Sequence, residues 1–98
     1  MTDRDQIIDK INLYGLAMDA QRWDLFDRIF TQHCDADYGP TAHWTDRDQF
    51  KQDFGTFHLA FDATQHFMTN HLVTVDGDEA HSLTYGMWGL IRHGADGD

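Results

Sequence analysis

The stretch Ala63 to Asp78, ATQHFMTNHLVTVDGD, decides how this chain folds. Its β-branched and aromatic residues and its terminal Asp-Gly-Asp predict one long strand running into a hairpin turn. Side chains alternate along a strand, so one face is expected to carry Thr64, His66, Met68, Asn70 and Leu72. That face mixes apolar side chains with a histidine and an amide, which is typical of a sheet wrapped around a partly polar pocket. The sequence therefore predicts a binding pocket against this strand.

The residues after the turn predict the partner strand, Glu79 to Arg92, so the second half of the chain is expected to form a long antiparallel hairpin. A shorter strand, His33 to Tyr38, is expected earlier and is ended by Gly39-Pro40. One short strand and one hairpin make few strands for a stable sheet. The missing strands are expected from chain beyond residue 98 or from another subunit.

Three helices are expected in the first half of the chain. Apolar residues recur at helical spacing over residues 3–20, where Thr2 and Asp5 resemble a capping box, and over a shorter segment from Trp23 to Phe30. A third helix is expected over residues 46–57, capped by Thr45. Helices followed by an antiparallel hairpin indicate an α+β fold, in which the helices cover one face of a curved sheet.

Composition limits the kinds of partner. The 98 residues are expected to form one domain, and a formal charge of −10 without any Lys or Arg cluster argues against nucleic-acid binding. No apolar run approaches the ~20 residues that cross a bilayer, so no membrane partner is expected. Cys34 is the single cysteine, and no secretion signal is visible, so a cytoplasmic protein is expected. The open edge of a short sheet predicts a homo-oligomer, a dimer or trimer.

Four motifs, taken in order, resemble the nuclear transport factor 2-like superfamily, in the branch of SnoaL-like proteins, scytalone dehydratase and bile-acid dehydratases. They are YGLAMDAQRWDLF at residues 14–26, Asp37-Tyr38, TQHF at residues 64–67 and VDGDEA at residues 75–80. The resemblance covers the chain almost end to end. It implies a cone-shaped, curved antiparallel sheet packed against N-terminal helices, here without the last strands of the family.

The resemblance also implies site residues. In such dehydratases the positions of Asp19 and His66 hold working polar groups of the pocket, and tyrosines matching Tyr14 and Tyr38 hold the substrate carbonyl. Two positions depart from scytalone dehydratase, since Leu90 lies near the place of its second pocket histidine and a tyrosine stands where this chain has Met18. The scytalone reaction itself is therefore not implied.

A histidine, a carboxylate and tyrosine hydroxyls in an apolar cone suit proton abstraction beside a carbonyl, followed by loss of water or ring closure, with no cofactor. An ordinary imidazole has a pKa of ~6.5, which suits His66 to act as general base, oriented by Asp19. Tyr14 and Tyr38 would donate to the enolate oxygen. The sequence thus predicts a lyase or isomerase acting on a small apolar hydroxylated compound, which could be polyketide-like, aromatic or steroidal. The alternative is a non-catalytic ligand-binding or oligomerisation module, such as an oxygenase accessory subunit.

The pocket wall is expected to include several further residues that bind substrate: Met68, Asn70, Trp88, Leu90 and Phe54. Taken singly, every candidate also has a structural interpretation, because strand histidines and buried tyrosines are commonly core residues with satisfied hydrogen bonds. No metal site is expected. His33, Cys34 and Asp35 have suitable ligand atoms, but neighbours on a strand point to opposite faces.

Overall fold

The computed structural model describes residues 2–92. The chain begins with helix α1, Asp3–Asp19, and a short 3-10 helix, Trp23–Arg28. Thr2 caps α1, since its hydroxyl accepts the backbone N–H of Asp5 at 3.1 Å. Both helices agree with the apolar spacing of the sequence. No helix in this part of the chain is long and apolar enough to cross a membrane.

Two short strands follow, β1 at His33–Asp37 and β2 at His43–Asp46, paired antiparallel. The turn between them contains Gly39, whose φ of 117° favours glycine. The sequence predicts β1 but not β2, because four residues are too few to show the alternation of a strand.

Helix α2, Arg47–His58, begins directly after β2. The prediction that Thr45 caps this helix is wrong, because the helix begins at Arg47, one residue later than expected. The cap is Asp46, whose carboxylate accepts the backbone N–H of Gln49 at 3.0 Å. The helix also continues one residue beyond the expected end, and this residue, His58, becomes part of the site described below.

The long hairpin consists of β3, Ala63–Asp76, and β4, Glu79–Ile91, joined by Gly77-Asp78. Gly77 has a φ of 60°, as a tight hairpin turn requires. The pairing register is broken between Thr69 and Leu72, where Asn70 has a φ of 56°. This irregularity is a β-bulge, which reverses the two faces of β3 beyond it.

The core lies between the helices. It contains Ala17 and Met18 from α1, Leu25 and Phe26 from the 3-10 helix, and Phe50 from α2. The rings of Phe26 and Phe50 are fully buried, and their centroids lie 5.3 Å apart. Helix α1 also lies against β3. Gly15 permits this approach, since a Cβ there would lie 3.1 Å from Cγ of Met68. The contact brings the end of α1 beside the first residues of β3.

Much of the hairpin is uncovered. Seven large apolar residues on β3 and β4 are at least half exposed: Phe67, Leu72, Leu83, Tyr85, Met87, Trp88 and Ile91. Within residues 2–92 each of the two sheets has two strands. The structure therefore confirms an α+β fold in which helices precede a long antiparallel hairpin, and it also confirms that the described sheets contain few strands.

Candidate active site

Asp19 and His66 form a hydrogen-bonded pair where the last residue of α1 meets β3. Oδ1 of Asp19 lies 2.6 Å from Nδ1 of His66, and Oδ2 accepts the backbone N–H of His66 at 2.8 Å. The hydroxyl of Thr64 also donates to Oδ1, at 3.0 Å. Because a carboxylate can only accept, Nδ1 carries the ring proton and Nε2 of the neutral ring keeps its lone pair. Asp19 thus fixes the orientation and the tautomer of His66.

This pair is largely removed from solvent. The side chain of His66 is 12% exposed and that of Asp19 is 25% exposed. Asp19 does not itself line the cavity but contacts the ring and the backbone of His66 from the end of α1. Because Asp19 occupies Nδ1, Nε2 is the ring atom of His66 that is able to react with a ligand.

Tyr14 and Tyr38 meet at their hydroxyl groups, which form a hydrogen bond between α1 and the end of β1. Half of the Tyr38 side chain is exposed, but its hydroxyl end lies against Tyr14. Burial raises the pKa of Tyr14 far above its ordinary value, and the neighbouring Tyr38 raises it further. Burial also raises the pKa of Tyr38, partly offset by the hydrogen bond from Tyr14. Both groups stay protonated at neutral pH, so one proton joins the pair and the other is available to a ligand oxygen.

A cavity of about 570 Å³ lies between α1, α2 and the hairpin. Seven residues that the sequence analysis singles out line it: Tyr14, Tyr38, Phe54, His66, Met68, Trp88 and Leu90. Trp88 and Leu90 stand on the more open side, where their side chains are 62% and 43% exposed. The structure brings these side chains together around one space, and their roles in binding and catalysis stay predictions.

Asn70 does not line the cavity, and the prediction that it shares a face with His66 is wrong. The alternation of β3 holds from Thr64 to Met68 and is broken by the bulge at Asn70. Beyond it the partly covered side chains are His71 and Val73, whereas Asn70 and Leu72 are exposed. A bulge is set by local backbone conformation, which simple counting by twos cannot detect.

Three cavity residues with polar side-chain groups escape the sequence analysis: Trp44, Asp53 and His58. The indole N–H of Trp44 donates to Oδ2 of Asp53 at 2.8 Å, and Gln49 donates to the other oxygen. Trp44 lies on the unexpected strand β2. His58 is the last residue of α2. It lies four residues after Phe54, so the two side chains share one face of the helix. The sequence analysis misses it because the expected helix ends at residue 57.

The described residues contain no group of three His, Cys, Asp or Glu side chains that could hold a metal ion. Cys34 is partly buried, and burial, followed by the nearby Asp46 carboxylate, raises the pKa of its thiol. A raised pKa disfavours the reactive thiolate. The polar side-chain groups of the residues that line the cavity are the imidazoles of His58 and His66, the two tyrosine hydroxyls, the indoles of Trp44 and Trp88 and the Asp53 carboxylate.

The fold and the pocket define a protein of the nuclear transport factor 2-like class. The chain belongs to the SnoaL-like domain family, which matches residues 1–98. Two solved structures are similar. The Kfla4162 protein of Kribbella flavida has a TM-score of 0.83 and 26% identity, covering 90% of this chain and 63% of that chain. A candidate scytalone dehydratase of Novosphingobium aromaticivorans has a TM-score of 0.80 and 19% identity, covering 94% of this chain and 66% of that chain.

The chain thus spans about two thirds of the length of both similar structures. A search among curated proteins finds no significant match. The comparisons establish the family and the fold, which agree with the resemblance carried by the four sequence motifs.

Proposed function

We propose that this protein is a cofactor-free lyase or isomerase that removes a proton beside a carbonyl group and then releases water or closes a ring. The observation that carries the proposal is the 2.6 Å contact between Asp19 and His66 at the wall of an apolar cavity. The candidate dehydratase among the similar structures has the same fold, and dehydration is the form of the reaction that we favour.

In this mechanism Nε2 of His66 takes the proton from the carbon next to the carbonyl. The electron pair of the broken C–H bond forms the enolate, whose oxygen accepts a hydrogen bond from the Tyr14 and Tyr38 pair. The enolate then collapses, the bond from the neighbouring carbon to its hydroxyl breaks, and the departing oxygen takes the proton back from His66. Water and a conjugated ketone result, and the neutral histidine is restored.

The cavity favours an uncharged substrate. Its lining within the described residues contains no Lys or Arg that could pair with an anion, and a formal charge of −10 repels acidic compounds at long range. Its side chains are mostly aromatic or aliphatic, and they suit a flat, apolar carbon skeleton. Polyketide-like, aromatic and steroidal hydroxy ketones all meet these conditions.

The test is turnover of a simple substrate, the β-hydroxy ketone formed from benzaldehyde and acetone. Loss of water gives a conjugated enone, which absorbance measures directly. We expect turnover by the wild type and a loss of at least ~100-fold in His66→Gln, since a general base typically contributes ~10²–10⁴. His81→Gln is the matched control, because His81 is an exposed histidine of β4. Equal rates in wild type and His66→Gln would reject the proposed base.

The alternative function is a ligand-binding or assembly module without catalysis. The exposed apolar side chains of the hairpin favour it, because a large apolar surface commonly marks an interaction site. Stoichiometric binding of hydroxy ketones with no turnover would support the module. A homo-oligomer stays a prediction, and sedimentation velocity of the purified protein tests it.

A further inference from the structure

His58 is a second histidine of the same cavity, and the mechanism above does not use it. It is 4% exposed and lies at the end of α2. Its ring centroid lies 6.4 Å from that of His66, on β3. Aromatic rings enclose it on other sides, with the Trp23 centroid at 4.9 Å and the Phe57 centroid at 5.6 Å. A buried polar ring in such surroundings requires partners for its nitrogen atoms.

One nitrogen has a partner. Nδ1 of His58 lies 2.8 Å from the backbone carbonyl of Phe54. A carbonyl can only accept, so Nδ1 donates, and Nε2 of the neutral ring carries a lone pair and no proton. Nε2 has no hydrogen bond to any residue among 2–92. In the same residues, Nε of Arg47 is the one fully enclosed side-chain nitrogen or oxygen that lacks a hydrogen-bond partner. Nε2 of His58 also lacks a partner, so it is not fully enclosed. Nε2 is therefore an unpaired acceptor that keeps a little exposed surface, on a residue that lines the cavity.

His58 and His66 differ in what supports them. His66 is backed by the Asp19 carboxylate, which compensates the positive charge of a ring that takes up a second proton. His58 is backed by a peptide carbonyl, which carries no such charge. This difference suits His66 to proton transfer and His58 to accepting a hydrogen bond.

We propose that Nε2 of His58 accepts a hydrogen bond from a ligand hydroxyl group, and that the ligand is a hydroxy ketone with this hydroxyl on the carbon next to the one His66 contacts. Two rings 6.4 Å apart can both reach adjacent atoms of one small molecule. The hydroxyl that donates to His58 keeps its oxygen lone pairs, so it can still receive the proton held by His66. The proposal rests on the proposed function for the ligand's carbonyl, whereas the hydroxyl contact can be measured without turnover.

The experiment uses two ketones that cannot lose water. One is the hydroxy ketone described above, with both hydrogens on the carbon between the carbonyl carbon and the carbinol carbon replaced by methyl groups. The other is the same dimethyl compound without the hydroxyl group. Calorimetry measures the affinity of both. We expect the wild type to bind the hydroxy ketone about tenfold more tightly, because filling the cavity without a donor leaves Nε2 buried and unpaired. In His58→Phe this preference is expected to disappear, and in His81→Phe it is expected to persist.

A hydroxyl preference that survives in folded His58→Phe would overturn the proposal. If that variant does not fold, heteronuclear NMR of the wild-type ring nitrogens decides. Nε2 of His58 is expected to lack a bonded proton at neutral pH, and its signal is expected to move with the hydroxy ketone and not with the other ketone. A proton on Nε2, or equal responses to both ketones, would also overturn it. If the protein shows no turnover but its preference for the hydroxyl depends on His58, the proposed lyase function is rejected and the hydrogen bond to His58 is supported.

Discussion

Replacement of Asp19 by Asn is expected to invert the tautomer of His66. The carboxylate accepts from the Thr64 hydroxyl, the His66 backbone N–H and His66 Nδ1. An asparagine side chain has one acceptor oxygen. The backbone N–H of His66 can only donate, so the asparagine oxygen must accept from it. The amide nitrogen then donates to Nδ1, so the ring proton moves to Nε2. The atom that takes the substrate proton is thereby blocked.

The magnitudes follow from these three contacts. All three can persist in Asp19→Asn, with donor and acceptor exchanged in the two bonds to the Thr64 hydroxyl and to His66 Nδ1. The expected loss is therefore the difference between a charged and a neutral partner, ~1 kcal/mol. For a domain of this size that lowers the melting temperature by ~4–8 °C. Asp19→Ala removes all three bonds and leaves the His66 N–H unpaired, which is expected to cost ~3 kcal/mol. A base in the wrong tautomer is expected to lower the rate by at least ~100-fold.

Three measurements test this reasoning: thermal melting, turnover of the β-hydroxy ketone, and heteronuclear NMR of the His66 ring. Thr64→Val is the matched control, since it removes one hydrogen bond to Asp19 but leaves the carboxylate and the tautomer in place. An Asp19→Asn protein that keeps an unprotonated Nε2 would refute the expected change of tautomer. A protein that carries the inverted tautomer at the wild-type rate would refute the assignment of His66 as the base.

Three further outcomes are expected. Asn70→Gly is expected to leave stability and ligand affinity unchanged, because glycine accepts the φ of 56° and Asn70 does not line the cavity. Asn70→Val is expected to cost ~1–2 kcal/mol in urea denaturation. Weaker ligand binding by the glycine variant would contradict this prediction. Burial raises the pKa of Tyr14 and Tyr38. Above pH ~10 the unfolded chain therefore loses these protons before the folded chain does. The free energy of unfolding is thus expected to fall as the pH rises above that value. The double variant Tyr14→Phe/Tyr38→Phe is expected to show a shallower fall across urea melts at increasing pH, and an equal slope would count against the buried pair. Phe26→Ala removes a fully buried ring and is expected to cost ~3–5 kcal/mol in urea denaturation; a loss below ~1 kcal/mol would show that the helical core contributes little to stability.

Local patterns in the sequence predict most elements of this fold. The helical spacing of Ile7, Ile11 and Tyr14 predicts α1, and the alternation and Asp-Gly-Asp turn after Ala63 predict the hairpin. These features depend on neighbouring residues and on the fixed periods of helix and strand. Strand β2 is missed because its four residues are too few to show alternation, and the bulge is missed because counting by twos cannot detect the backbone conformation of Asn70.

The candidate site divides in the same way. The histidine, the carboxylate and the tyrosines are visible as residue types in family order. The structure pairs Asp19 with His66 and Tyr14 with Tyr38. The place of His58 in the cavity is not visible from the sequence, because it depends on the end of α2 lying near His66 of β3. Asn70 shows the opposite case, a residue whose type suits a pocket but whose backbone turns it away.

The sequence by itself determined the class of fold, the order of the elements and the chemical groups available to the site, because periodicity, turn residues and side-chain chemistry are local properties. The tertiary structure decided which ring nitrogen of His58 and of His66 has a protein partner, which tyrosine hydroxyls meet and which strand residues face the cavity. These depend on contacts between residues far apart in the chain, such as the 2.6 Å contact across 47 positions between Asp19 and His66. Hydrogen-bond direction is set by partners in space, and only the folded chain brings those partners together.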